Sequence, residues 1–94
     1  MSDSILRPNP QVVLTEMRDG TAVLLHLDTR FYFTLNATGV FVWKLLASDR
    51  TWDRESLAQA LTREFDVDLA RASADLSALL DELRAQELLA PTRG

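Results

Sequence analysis

The sequence predicts an α+β domain in which a three-stranded antiparallel sheet is followed by three helices. Runs of apolar and β-branched residues, separated by two tight turns, fill residues 11–35. From residue 36 onward the apolar residues recur at helical spacing instead. At 94 residues the chain has the length of one modest domain. Strands that come first and helices that follow indicate a sheet with helices packed on one face.

The predicted sheet is a meander with short connections. Its strands are QVVLTEM (residues 11–17), TAVLLHL (21–27) and FYFTL (31–35). RDG, residues 18–20, is a hairpin signal because Asp-Gly accepts positive φ at low cost, and DTR, residues 28–30, forms a second tight turn. The second strand is apolar on both alternating faces, as expected for a strand with a neighbour on either side.

The third strand runs directly into the first helix. Asn36 is the predicted N-cap, because its side chain can accept a hydrogen bond from the first turn. Leu35 and Val40 then occupy the positions of a hydrophobic staple, which fixes the angle between strand and helix. Gly39 in the first turn costs about 1 kcal/mol relative to Ala, which indicates close backbone packing there.

Two further helices follow. Thr51 caps the second, or Asp53 does, with Trp52 and Leu57 as the staple pair. Asp68 is the predicted cap of a longer third helix that ends near Gln86. The predicted organisation is a flexible lead-in at residues 1–10, the domain at 11–90 and a tail at 91–94.

Composition argues against catalysis and against nucleic acid. The chain has no Cys and only one His, His26, which lies mid-strand, so we expect no enzyme, no metal site and no cofactor. The net charge is −4, and residues 51–94 hold all of the excess acid. A nucleic-acid surface would need clustered Lys and Arg. Because there is neither a signal peptide nor an apolar run of about 18 residues, we expect a cytoplasmic protein.

The third strand suggests a binding role. FYFTL lies at the edge of the predicted sheet and contains no Lys, Pro or bulge signal to block pairing. An exposed edge of this kind can accept an extended peptide as an added strand. Three alternatives stay open: the third helix or a terminus covers the edge, a second copy pairs with it as a homodimer, or the fold is a DNA-binding winged helix.

The chain resembles the PqqD-like family. The resemblance rests on GTAVLLHLDTRFYFTLNATGVFVWKLL, followed by TWDRESLAQALTREFDVD and ASADLSALLDELRAQELL, and covers about residues 11–90. Members are precursor-peptide recognition domains of ribosomal peptide natural-product (RiPP) pathways. The resemblance implies a winged-helix-like fold that binds a leader peptide along the third strand, against the third helix. It also implies that the domain performs no chemistry but delivers the precursor to a leader peptidase or a modifying enzyme.

The resemblance also implies a set of peptide-binding residues. On the strand they are Arg30, Phe31, Tyr32, Phe33, Thr34 and Leu35; on the third helix they are Leu69, Ala72, Ser73, Leu76 and Leu80. Asp75 either contacts a basic leader residue or belongs to a solvated face. Lasso-peptide maturation, with a separate peptidase and cyclase, is the favoured pathway. Pyrroloquinoline quinone biosynthesis, with a radical enzyme as the partner, is the alternative.

Overall fold

The computed structural model describes residues 6–90 and confirms the predicted order of three strands and three helices. The elements are β1 (Val12–Glu16), β2 (Ala22–His26), β3 (Tyr32–Leu35), α1 (Ala37–Leu46), α2 (Arg54–Phe65) and α3 (Leu69–Ala85). The tail predicted for residues 91–94 and the first five residues of the lead-in lie outside the described part of the chain. None of the helices in residues 6–90 is long and apolar enough to cross a membrane.

The sheet is antiparallel, with β2 between β1 and β3. Leu24 of β2 is paired with Leu14 on one side and with Phe33 on the other. Residues directly opposite each other point to the same face of a sheet, so these three side chains form one row. Leu24 is fully buried and the other two pack against the core, which shows that this row faces the helices.

The opposite face of the sheet is turned to solvent. It carries Val13 and Met17 of the β1 hairpin and Tyr32 of β3, which are 45%, 45% and 68% exposed. Only one face of the sheet is therefore covered by helices, as the predicted layer arrangement requires. The core lies between that face and the helices, and α2 and α3 contribute Leu57, Leu61, Leu76, Leu80 and Leu83 to it.

Side-chain caps begin all three helices. The Asn36 side chain accepts a hydrogen bond from Gly39 N–H at 2.9 Å, which confirms the predicted cap of α1. Asp53 caps α2 in a reciprocal capping box with Ser56, so the alternative cap at Thr51 is not used. Asp68 caps α3, as predicted.

The segment from Leu6 to Asn9 lies on the body of the domain. Leu6 N–H donates to the Trp52 carbonyl at 3.0 Å, and Asn9 N–H donates to the Leu88 carbonyl at 3.0 Å. The Leu6 side chain is only 5% exposed and belongs to the core. These contacts hold the second half of residues 1–10 in place, where the sequence predicted a flexible lead-in. Its prolines block regular structure but do not prevent backbone pairing.

Candidate functional site

The outer edge of β3 exposes unpaired backbone groups. His26 N–H donates to the Phe31 carbonyl at 3.0 Å, and hydrogen-bonded pairs alternate along an antiparallel ladder. The backbone groups of Phe31 and Phe33 therefore face β2, whereas those of Tyr32 and Thr34 face away from it. Within residues 6–90, no strand pairs with this outer edge. Two residues thus present free N–H and C=O groups to an incoming chain.

The outer edge of β1 is less available. By the same alternation its outward-facing backbone groups belong to Val12, Leu14 and Glu16. Val12 N–H already donates to the Asn9 carbonyl at 3.0 Å. Glu16 is the last outward-facing position, and its carboxylate forms an ion pair with Lys44 of α1 at 2.9 Å. The two edges of the sheet therefore differ, and β3 offers the freer one.

A groove of about 570 Å³ lies between β3, the start of α1 and α3. Phe33, Thr34 and Leu35 line its β3 side. Leu35 is 1% exposed, so it anchors the strand in the core while its backbone borders the groove. Because the groove adjoins the open edge, a chain paired to β3 would place every second side chain inside it.

The junction between β3 and α1 is packed tightly at one end of the groove. A Cβ atom added to Gly39 would lie 2.8 Å from Leu35 Cδ2 and 3.2 Å from Leu35 Cβ. Both distances are below ordinary van der Waals contact, so a side chain at this position would require Leu35 to shift. The close approach, together with the Asn36 cap, fixes the direction in which α1 continues from β3.

The α3 wall of the groove combines apolar and acidic side chains. Leu76 and Leu79 contribute the apolar part, and Asp75 and Glu82 contribute carboxylates. Asp75 also pairs with Arg71 one turn earlier at 3.4 Å, but both of these side chains are more than half exposed. Of the residues between 6 and 90 that line the groove, none is Lys or Arg. The groove therefore offers an apolar surface bordered by negative charge.

Four of the predicted peptide-binding residues come together here: Phe33, Thr34, Leu35 and Leu76 all line the groove. The predicted residues Arg30 and Phe31 precede β3 and Tyr32 begins it, and none of the three lines the groove. Arg30 is in the preceding turn with φ of 65°. Tyr32 is 68% exposed and presents its outward-facing backbone to the open edge.

The other predicted residues of α3 lie elsewhere. Ala72 and Leu80 are 2% and 0% exposed and belong to the core. Leu69 and Ser73 line a separate shallow depression between α2 and α3, next to Arg54. Sequence reasoning did not include Thr38, Ala78, Leu79 and Glu82 in the site. The signal for the last three was their helical spacing from Asp75, at i+3, i+4 and i+7.

The single histidine has a structural role. His26 is 3% exposed, and its Nδ1 accepts hydrogen bonds from the backbone N–H groups of Asp28 and Thr29 at 3.2 and 3.3 Å. It therefore stabilises the turn that leads into β3. No group of His, Asp and Glu side chains within residues 6–90 has the arrangement of a metal site. The site offers backbone pairing, apolar contact and charge.

An open strand edge beside a preformed groove is the geometry of domains that bind an extended peptide by strand addition. The chain belongs to the PqqD family. The sequence model of the family described as "Coenzyme PQQ synthesis protein D (PqqD)" matches residues 21–89. The resemblance inferred from the sequence is thereby confirmed. None of the curated proteins compared with the chain matches it.

Solved structures support the same assignment. TbiB1 in complex with the TbiA(β) leader peptide is 33% identical, with a TM-score of 0.79 over 94% of this chain and 99% of that one. Lasso peptide synthetase B1 complexed with the leader peptide is 27% identical, with a TM-score of 0.76 over 92% and 98%. The solution structure of the PqqD truncation of Methylobacterium extorquens PqqCD, a stand-alone RiPP recognition element, is 28% identical, with a TM-score of 0.74 over 93% and 89%.

Proposed function

We propose that this protein binds the leader segment of a ribosomally made precursor peptide and performs no chemistry on it. The leader adds to the sheet as a fourth strand along the outer edge of β3. Its inward-facing side chains enter the groove between β3 and α3. The observation that carries this proposal is the open β3 edge directly beside a groove. The chain also matches TbiB1, solved with a leader peptide, over nearly its full length.

The register of the sheet defines how such a strand pairs. Because Tyr32 and Thr34 direct their backbone groups outward, they form the hydrogen-bonded pairs with the leader. Leader residues opposite Phe33 and Leu35 then point to the helix-facing side, as those two residues do. Backbone pairing supplies affinity that does not depend on sequence, and the groove supplies the selection of side chains.

Maturation of a lasso peptide is the pathway that the comparisons favour. Two of the similar structures are a lasso peptide synthetase B1 with a leader peptide and TbiB1 with the TbiA(β) leader. In this pathway the domain presents its bound precursor to a separate leader peptidase, and a cyclase closes the ring. The pyrroloquinoline quinone pathway is the second candidate, because the family description and the PqqD structure point to it. A radical enzyme is the partner in that case.

Binding to leader peptides provides the test. Two synthetic peptides serve as probes: the leader of the precursor encoded beside this protein's gene, and the TbiA(β) leader. Titration calorimetry should show one-to-one binding of the first peptide and none of its scrambled version. The leader peptidase encoded beside the same gene should remove the leader faster when the precursor is bound to this protein than when the precursor is free. If neither leader binds, or if leader removal is equally fast without this protein, the proposal is wrong.

Two other occupants of the edge give different results. A second copy of the chain paired along β3 would appear as a dimer in light scattering that the leader does not dissociate. DNA binding by a winged helix would give a gel shift that persists at physiological salt. The carboxylates of Asp75 and Glu82 on the exposed side of α3 disfavour it, because they repel phosphate groups. Our proposal requires that the leader compete with any self-association.

A further inference from the structure

We infer that the segment of the leader in the groove carries a Lys or Arg that faces α3, two residues away from an apolar side chain that faces the same way. The inference rests on the proposed function, since it assumes that the leader pairs with β3. It adds the chemical class of the side chains that the groove selects.

The spacing follows from strand geometry. Leader residues opposite Phe33 and Leu35 both point into the groove, and the residue between them points to the other face. Their side chains therefore leave the strand about 6.6 Å apart, at the usual rise of about 3.3 Å per residue. The groove is bounded at one end by the tight contact between Gly39 and Leu35. It thus receives alternate residues of the leader.

One of these positions meets an apolar surface. Phe33 is half-buried against the core, Leu76 is 2% exposed, and Leu79 packs beside them, and all three line the groove. A polar side chain placed on this surface would lose water without gaining a hydrogen-bond partner, which is unfavourable. An aliphatic or aromatic leader residue instead gains burial.

The other position meets negative charge. Asp75 and Glu82 are seven residues apart, which places them about 10.5 Å apart along the same side of α3. Glu82 makes no ion pair among residues 6–90. Asp75 pairs with Arg71, but an exposed pair of this kind contributes little and can exchange partners. A Lys or Arg of the leader has a side chain long enough to extend to the carboxylates on this wall.

Covering the groove strengthens this preference. Once a peptide strand lies over the groove, the carboxylates on its wall lose part of their water, and their interaction with nearby charges grows. A leader with Asp or Glu at the same position is repelled by two like charges. The net charge of −4 acts in the same direction by attracting basic peptides at long range. The groove therefore selects leader side chains by their charge, while backbone pairing supplies affinity that does not depend on sequence.

A phage-displayed library of random decapeptides tests the inference. Selection is carried out on the wild-type protein, on the double variant Asp75→Lys/Glu82→Lys, and on the control Glu64→Lys. Glu64 is exposed on α2 and does not line the groove, so its replacement adds positive charge elsewhere, at half the change of net charge that the double variant makes. Wild type and control should enrich Lys or Arg two positions from an apolar residue. The double variant should enrich Asp or Glu there instead.

Synthetic peptides then give magnitudes. Replacing the enriched basic residue by Glu should weaken binding to wild type at least tenfold, and the double variant should restore it. The milder double variant Asp75→Asn/Glu82→Gln should lose the preference without reversing it. If the double variant selects the same basic residue as wild type, the inference is wrong although strand addition stands. If no peptide is enriched and none protects the Thr34 amide from exchange, the proposed function fails as well.

Discussion

Thr34→Pro and Phe33→Pro place the same ring at adjacent residues of β3, with opposite consequences expected for the fold. Thr34 directs its N–H to the open edge, so proline removes no hydrogen bond of the sheet. Phe33 directs its N–H to Leu24 of β2, and its ring packs against the core. Proline is compatible with the first position and incompatible with the second.

The expected magnitudes differ accordingly. Thr34→Pro should change the free energy of unfolding by less than about 1 kcal/mol, as exposed substitutions usually do. Phe33→Pro loses a ladder bond and a packed aromatic ring, which together cost about 3 kcal/mol or more. For peptide binding, the missing Thr34 donor costs about 0.5–1.5 kcal/mol, and the proline ring also obstructs the edge. We therefore expect Thr34→Pro to weaken leader binding at least tenfold.

Circular dichroism and titration calorimetry measure the two effects separately. Thr34→Val keeps the N–H group and should bind the leader as wild type does. Glu16→Pro places the same ring on the outer edge of β1 and should also leave leader binding unchanged. If Thr34→Pro binds the leader normally while remaining folded, strand addition on β3 is refuted. If Thr34→Pro unfolds and Phe33→Pro does not, the assigned register is wrong.

Three further substitutions test the framework that positions the edge. Gly39→Ala should lower the free energy of unfolding, measured in urea, because the new Cβ would lie 2.8 Å from Leu35 Cδ2. Ala has the better helix propensity, so a higher stability would show that this propensity outweighs the close contact and would contradict the prediction. Leu6→Ala should lower the free energy of unfolding by about 2 kcal/mol, because Leu6 is 5% exposed beside Trp52. An unchanged free energy of unfolding would show that the segment from Leu6 to Asn9 does not contribute to the core. The hydrogen bonds that Asp53 accepts in the capping box lower its pKa below the ordinary value of 3.8. A lowered pKa in the folded state stabilises the protein above pH 3.8, and this stabilisation is lost as the pH falls through the folded pKa. Asp53→Asn should keep the cap but weaken this loss in an acid titration followed by circular dichroism, and an unaltered acid profile would exclude Asp53 as its source.

Local signals in the sequence were sufficient to predict the order of the strands and helices. Turn residues separated the strands, and Asn36 and Asp68 marked the starts of α1 and α3 through hydrogen bonds within one turn of helix. The start of α2 was ambiguous because Thr51 and Asp53 both have capping side chains. Only the reciprocal bonds with Ser56 distinguish them.

The site was harder to predict because it depends on how α3 lies against the sheet. Leu76 and Leu80 lie on the side of α3 that enters the core, and the adjacent side, with Leu79 and Glu82, lines the groove. Successive residues of a helix are rotated by about 100°, so the core-facing and groove-facing sides of α3 lie close together. The sequence pattern defines the apolar side only broadly and does not separate the two. The strand residues of the site were easier, because alternation alone sets their faces. Their contacts with a leader remain predictions.

Hydrogen–deuterium exchange of the backbone amides, measured with and without the leader, shows whether the leader pairs with the outer edge of β3. In the free protein Phe33 should already be protected by its bond to β2, whereas Tyr32 and Thr34 should exchange rapidly. Strand addition predicts that the leader slows exchange at Tyr32 and Thr34 and leaves Leu14 and Glu16, on the other edge, unchanged. Protection at Leu14 and Glu16, with none at Tyr32 and Thr34, would place the leader on β1 and contradict the account.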